Sequence, residues 1–113
     1  MIDKATLWAY MKEFIYAGIK SIIMKYGAYE PNTRQTWGNI SARVREFTEH
    51  LVPLKYLHEI KVVCDDTLNT EETVKNNEFH LRFEWKVNEL DNGTVADFDL
   101  YPDGLTVTEV DVL

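Results

Sequence analysis

Over residues 78–88 the chain alternates without a break, with Phe79, Leu81, Phe83, Trp85 and Val87 set against Glu78, His80, Arg82, Glu84 and Lys86. A side-chain period of two puts the apolar set on one face of a strand and the polar set on the other. On a helix, with a period of about 3.6, the same residues would scatter around the cylinder. A strand face this apolar needs a cover, and two amphipathic stretches that precede it can supply one.

The first stretch predicts a helix from an N-cap at Asp3 to about Lys25. Leu7, Met11, Phe14, Gly18 and Ile22 recur at helical steps, Ile15, Ile19 and Tyr26 widen that stripe, and Lys12, Glu13, Tyr16 and Lys20 fall off it. Gly18 costs about 1 kcal/mol against Ala in a helix interior, so it marks a kink, a break or a close helix contact. Residues 27–33 then interrupt: Pro31 biases Glu30 away from the helical region, and Asn32 or Thr33 can cap the next helix. That second helix is expected over residues 34–51. There Trp37, Ile40, Val44, Phe47 and Leu51 form one stripe, Arg45 and Glu49 pair one turn apart, and Pro53 stops the helix.

The rest reads as strands. Residues 59–65 present Ile60, Val62 and Cys64 on one face, with Lys61 and Val63 on the other. Residues 66–77 lack a period and form a loop, with a short helical turn over residues 71–75. After the central strand, Asp91, Asn92 and Gly93 make a turn. Residues 95–101 return antiparallel with Ala96, Phe98 and Leu100 inward, and Pro102, Asp103 and Gly104 turn again. Residues 105–113 form a last strand whose alternation slips between Val107 and Val110, which predicts a bulge. The expected architecture is α+β: two N-terminal amphipathic helices on one face of a mainly antiparallel sheet of about four strands.

Length and composition narrow the function classes. With 113 residues the chain is one domain, and its 45% hydrophobic residues are those of a folded globule. Nineteen acidic residues against 12 basic ones give a net charge of −7, which argues against nucleic-acid and anionic-membrane partners. Cys64 is the sole cysteine, so no intramolecular disulfide forms, as suits a reducing compartment. The most apolar window, residues 7–26, carries Lys12, Glu13, Lys20 and Lys25 and reads as an amphipathic helix, since a membrane span needs about 20 nearly uncharged residues. The N-terminus lacks the pattern of a secretory leader, so the protein is expected to stay where it is made, or in whatever is assembled there.

No catalytic, cofactor-binding or metal-binding residue emerges. His50, His58 and His80 match none of the local spacings of a metal site, and Asp65, Asp66, Glu71 and Glu72 do not match a calcium loop. Asp97 and Asp99 project from one strand face about 7 Å apart, a spacing compatible with the paired carboxylates of a small hydrolase and equally with the solvent face of a sheet. Cys64 is most simply a core residue. The terminal strand carries a different signal. Thr106, Val107, Thr108, Glu109, Val110, Asp111 and Val112 form an extended stretch rich in β-branched residues. They read either as an edge that pairs with another chain or as an ordinary last strand guarded by Glu109 and Asp111.

Tyr29, Glu30, Pro31 and Asn32, then Trp37, the helix through Phe47 and Leu51, a strand ending Val63, Cys64, Asp65, and then Asn69 and Thr70 come in an order that resembles the C-terminal domain of contractile phage tail sheath proteins. The resemblance covers about residues 15–100. It departs from the family at Pro53, Leu54, Lys55 and Tyr56, where a Gly-Ala pair is usual, and at Val87, Asn88 and Glu89, where a proline-containing segment is usual. The larger sheath body that normally precedes this domain has no counterpart, so the chain is expected to be a free-standing sheath-like protein or one domain of a longer one. The resemblance implies a virion structural protein, made in the host cytoplasm and built into the tail. It would pack as a homo-oligomer, or with tube, sheath or neck proteins, around a tube. It also implies that residues 105–113 act as an exchanged arm, with Thr106, Val107, Thr108, Val110 and Val112 at the subunit interface. The alternative reading is a non-enzymatic α+β module that binds a protein or small ligand in a groove.

Overall fold

The computed structural model describes residues 4–28, 30–53, 57–86 and 93–111. Helices α1 (Lys4–Tyr26) and α2 (Arg34–Glu49) are followed by strand β1 (Glu59–Val63), the short helix α3 (Glu71–Lys75), and strands β2 (Phe79–Lys86), β3 (Thr94–Tyr101) and β4 (Gly104–Asp111). The strands form one antiparallel sheet in the order β1-β2-β3-β4. The helices cover one face of it, so the fold is α+β. Among the described residues no helix is long and apolar enough to cross a membrane.

Register explains where the core sits. On the covered face Phe83 lies between Val62 and Ala96, Leu81 opposite Phe98, and Trp85 opposite Ile60. Ile15, Ile19 and Ile23 of α1 and Trp37, Ile40 and Val44 of α2 close over them. The alternation of β2 is realised in full, with its odd-numbered residues buried and its even-numbered ones half-exposed. Val87, Asn88, Asp91 and Asn92 lie outside the described residues, and Gly93 has the positive φ of a turn, 98°.

Two expectations need correction. The fully buried line of α1 runs through Ile15, Ile19 and Ile23, with Met11, Ile22 and Tyr26 of the expected stripe partly buried beside it, whereas Phe14 turns outward and is 60% exposed. Steps of three and four trace an apolar band wider than the face the core covers, and the position of α2 and the sheet decides where that face is centred. Gly18 marks the boundary with α2: a Cβ there would lie 2.2 Å from Cζ of Phe47, so the glycine makes room for that ring while the helix runs on unbroken. Second, β4 has no bulge. Its pairing with β3 is continuous from Thr94 with Asp111 to Tyr101 with Gly104. Glu109 simply occupies an inward position, opposite Ala96.

The ends of the elements are smaller adjustments. The N-cap of α2 is Thr33, whose hydroxyl accepts from the Thr36 N–H. The helix ends at Glu49, a turn before Pro53, with Arg45 Nε 3.9 Å from Glu49. Asp3, the expected cap of α1, lies outside the described residues.

Polar side chains join the layers at the ends of β2. Asn32 donates to the Glu78 carbonyl at 2.7 Å and accepts from the Trp37 indole N–H at 2.6 Å, holding the start of α2 against the start of β2. Asn69, only 1% exposed, replaces a missing strand. The last pair of β1 and β2 is Val63 with Arg82, and one pleat further the Asn69 amide accepts from the His80 N–H at 2.7 Å and donates to the His80 carbonyl at 2.9 Å. A carboxamide has the same donor and acceptor as a peptide, so it continues the ladder where the chain has turned away. Asn69→Ala is expected to lower stability by about 2–3 kcal/mol, because the His80 groups lose their partners. Asn69→Asp should cost at least as much at neutral pH by urea denaturation, because a buried carboxylate oxygen would face the His80 carbonyl.

Cys64 lies at the edge of the core, where burial, assisted by the neighbouring Asp65 charge, pushes its thiol from 9.0 up to about 12. The unfolded thiol ionises near 9.0, so the stability due to its neutral burial is complete below that pH and is lost as pH rises towards 12. Native Cys64 should resist alkylation at neutral pH and react once urea unfolds the chain. Above the unfolded value, wild-type stability should fall more steeply with pH than that of Cys64→Val.

Candidate assembly edge

Among the described residues β1 and β4 are the edge strands of the sheet, and β4 carries the interface residues expected from the sequence. It starts from a tight turn through Pro102 and Asp103, with Gly104 at φ 154°, a value that favours glycine. From there the pleat divides the strand. Leu105 and Val107 lie opposite Leu100 and Phe98 and pack on the core, whereas Thr106, Thr108 and Val110 lie opposite Asp99, Asp97 and Val95 on the uncovered face. Thr106 and Thr108 are exposed and Val110 is 53% exposed. Val112 lies outside the described residues. Thr106, Val107, Thr108 and Val110 therefore share a backbone edge but not a side-chain surface, with Val107 facing the helices. No other strand pairs with the outer edge of β4 among the described residues.

Glu109 ties this strand down. Its carboxylate accepts from Lys12 Nζ at 2.8 Å and from the Tyr16 hydroxyl at 3.1 Å. Tyr16 in turn accepts from the Trp85 indole N–H at 3.3 Å, with its ring edge-on to Trp85 and Phe98. Ala96 opposite Glu109 leaves room for this crossing. Lys12 and Tyr16, which fall off the expected apolar stripe of α1, thus join the helix to β4 and to the central strand. From sequence alone Glu109 is an outward guard of the edge, and only its inward register reveals the anchor. The side chain of Asp111, the other expected guard, lies outside the described set.

Polar side chains of the uncovered face pair across the strands. Arg82 makes two bonds to Asp97, 2.7 and 3.2 Å, and His80 Nδ1 lies 2.6 Å from Asp99. Lys61 and Glu84 are 3.8 Å apart and Lys86 and Glu59 3.7 Å. In each case the partners are directly opposite in register, the arrangement in which cross-strand charges attract best. Asp97 holds the Arg82 guanidinium more firmly protonated, and the nearby Asp99 charge pushes the Tyr101 hydroxyl up. Asp97 and Asp99 are therefore each occupied by a basic side chain on β2. They do not face one another across a cleft as a hydrolase pair would.

The remaining candidate groups are spread over the fold. Asp65 accepts from the backbone and hydroxyl of Thr67, which lowers its pKa, and Asp66 pairs with Arg34 at 2.7 Å. Glu71 and Glu72 open α3 behind its Thr70 cap. His50 caps the C-terminus of α2, and the His58 N–H bonds to the Lys86 carbonyl. Among the described residues no three of His, Cys, Asp and Glu come together as a metal would require. A cleft of about 690 Å³ opens at the end of the sheet, bounded by Met24, Pro31, Asn32, Phe79, Leu100 and Tyr101.

Compared with protein-family models, curated proteins and solved structures, the chain finds no match.

The Glu109 anchor is testable. A double-mutant cycle with Lys12→Ala and Glu109→Ala should give a stabilising coupling below about 1 kcal/mol, because both side chains are partly exposed. The coupling should shrink in high salt.

Proposed function

We propose that the protein works by assembly rather than catalysis, as a structural subunit that pairs with further copies or with neighbouring proteins through the edge of β4. One observation carries this reading: eight residues of extended backbone, four of them β-branched, lie along an edge of the sheet that no other described strand covers. Such an edge is a template for β-augmentation, in which main-chain hydrogen bonds supply affinity. The anchoring of Glu109 to α1 supports a fixed docking edge more than a strand that detaches as an arm. The narrower assignment, a sheath-like subunit packed around a phage tail tube or neck, rests on the resemblance carried by Glu30, Pro31, Asn32, Trp37, Asn69 and Thr70. Asn32, Trp37 and Asn69 are among the residues that join helix, loop and sheet. They support a shared way of building the domain more directly than a shared activity.

The second reading is a non-enzymatic binding module. The cleft between Met24, Phe79 and Leu100 favours it, since half-apolar concave sites are where small ligands and peptides dock.

Proline substitutions separate the two. Adjacent residues of a strand present their N–H groups to opposite edges, so of Thr106→Pro and Val107→Pro one removes an outward donor and the other breaks pairing with β3. The outward variant should stay folded by circular dichroism yet lose the rings, tubes or larger species that the wild type forms in negative-stain images. Wild-type protein that stays a monomer of 13.2 kDa at all concentrations, and that co-purifies with no neighbouring protein at this edge, would defeat the assembly reading.

A further inference from the structure

Helix α1 is apolar on the side that faces away from the core. Tyr10, Phe14, Ala17, Ser21 and Met24 are all exposed. At about 100° per residue they fall within an arc of about 80°, opposite Ile15, Ile19 and Ile23. No charged residue interrupts that arc. The spacing of four, three, four and three is that of a coiled-coil seam. Tyr10 and Phe14 are 63% and 60% exposed and Met24 43%, which makes them the large exposed apolar side chains among the described residues of this helix. The Phe14 ring lies 5.6 Å from Phe47, which extends the patch onto α2. A surface helix of a domain this small has one apolar face, turned inward. Here a second one is open to solvent.

We infer that this face is a two-fold interface between two copies of the chain, with their α1 helices packed antiparallel and crossing near Ala17. Size and charge along the seam single out this occupant. The middle of the seam is small, Ala17 and Ser21, so two backbones can approach closely there. The bulky residues lie at its ends, and a two-fold crossing at Ala17 sets Tyr10 against Met24 of the second copy, a favourable sulfur–aromatic pairing. Glu13 and Lys20 flank the seam on one side, seven residues apart, and an antiparallel copy brings each beside the other's opposite charge. A parallel pair would instead bring Lys20 beside Lys25 of its neighbour, like against like. The interface is isologous and closes on itself. It uses no atom of β4, so it adds a second contact to an array built on that edge and stands without it.

The test is the mass of the full chain in solution, by light scattering over a range of concentrations. The wild type should contain a species of twice 13.2 kDa. Ala17→Arg, at an exposed position, should halve that mass while leaving the circular dichroism of the folded chain unchanged. Glu13→Lys should weaken the dimer by about tenfold, since it turns two attractions into repulsions. Adding Lys20→Glu to it should restore the dimer. A wild type that is monomeric at every concentration would overturn the inference. So would a dimer that survives Ala17→Arg, and if that dimer were lost in the β4 proline variant it would belong to the strand edge instead. Failure of the charge swap to restore the dimer would overturn the antiparallel arrangement.

Discussion

The structure depends on the burial of one strand face. Phe79, Leu81, Phe83 and Trp85 project from β2 into a single layer, and everything else in the fold is placed by the need to keep water from it. Four large side chains removed from water contribute about 1.5–3 kcal/mol each. That is comparable with the whole net stability of a domain of this size. β1 and β3 extend the face sideways, α1 and α2 close it from above, and Gly18 lets the Phe47 ring sit where the helices meet. Position two elements against β2 and the others have little freedom left.

Burying that face leaves polar groups at its margins, and the chain answers them with side chains. Asn69 stands in for a strand residue beside His80, Asn32 receives Trp37 and donates to Glu78, and Tyr16 receives Trp85 and donates to Glu109. The bonds to His80, Glu78 and the two indoles are part-buried. In such places an unmet donor or acceptor costs more than the bond itself gains. The solvent face has no such problem, and there the charges are satisfied rung by rung across the strands. Asp97 and Asp99, which sequence alone leaves without partners, are paired in this way with Arg82 and His80.

Two features of the described surface bear on assembly: the backbone edge of β4 and the apolar outer side of α1. A strand edge attracts other strands because its hydrogen-bonding groups are unspent, and an apolar helix face attracts another helix for the reason the core forms. Their directions differ, one along the plane of the sheet and one away from the helical layer. Two contacts of unlike direction on one subunit can build an extended array, whereas a single two-fold contact ends at a dimer.

The local elements are legible in the sequence because each has a period or a stop signal of its own. The alternation of β2, the stripe of α2 with its Thr33 cap, the short turn of α3 and the glycine turns all depend on residues near one another in the chain. That Phe98 and Leu100 share a face is legible for the same reason. On α1, however, the apolar pattern is wider than the buried face and does not say that Phe14 is left outside it, and in β4 an acidic residue at an inward position imitates a bulge. Those points, like the strand-like role of Asn69, depend on groups distant in sequence: Phe47 beside Gly18, Lys12 and Tyr16 over Glu109, His80 across from a loop amide. Periodicity states which residues can be buried together. Only packing decides which of them are, because a side chain is satisfied by whatever the fold brings within reach, and a carboxylate can face inward once a lysine and a tyrosine wait for it there.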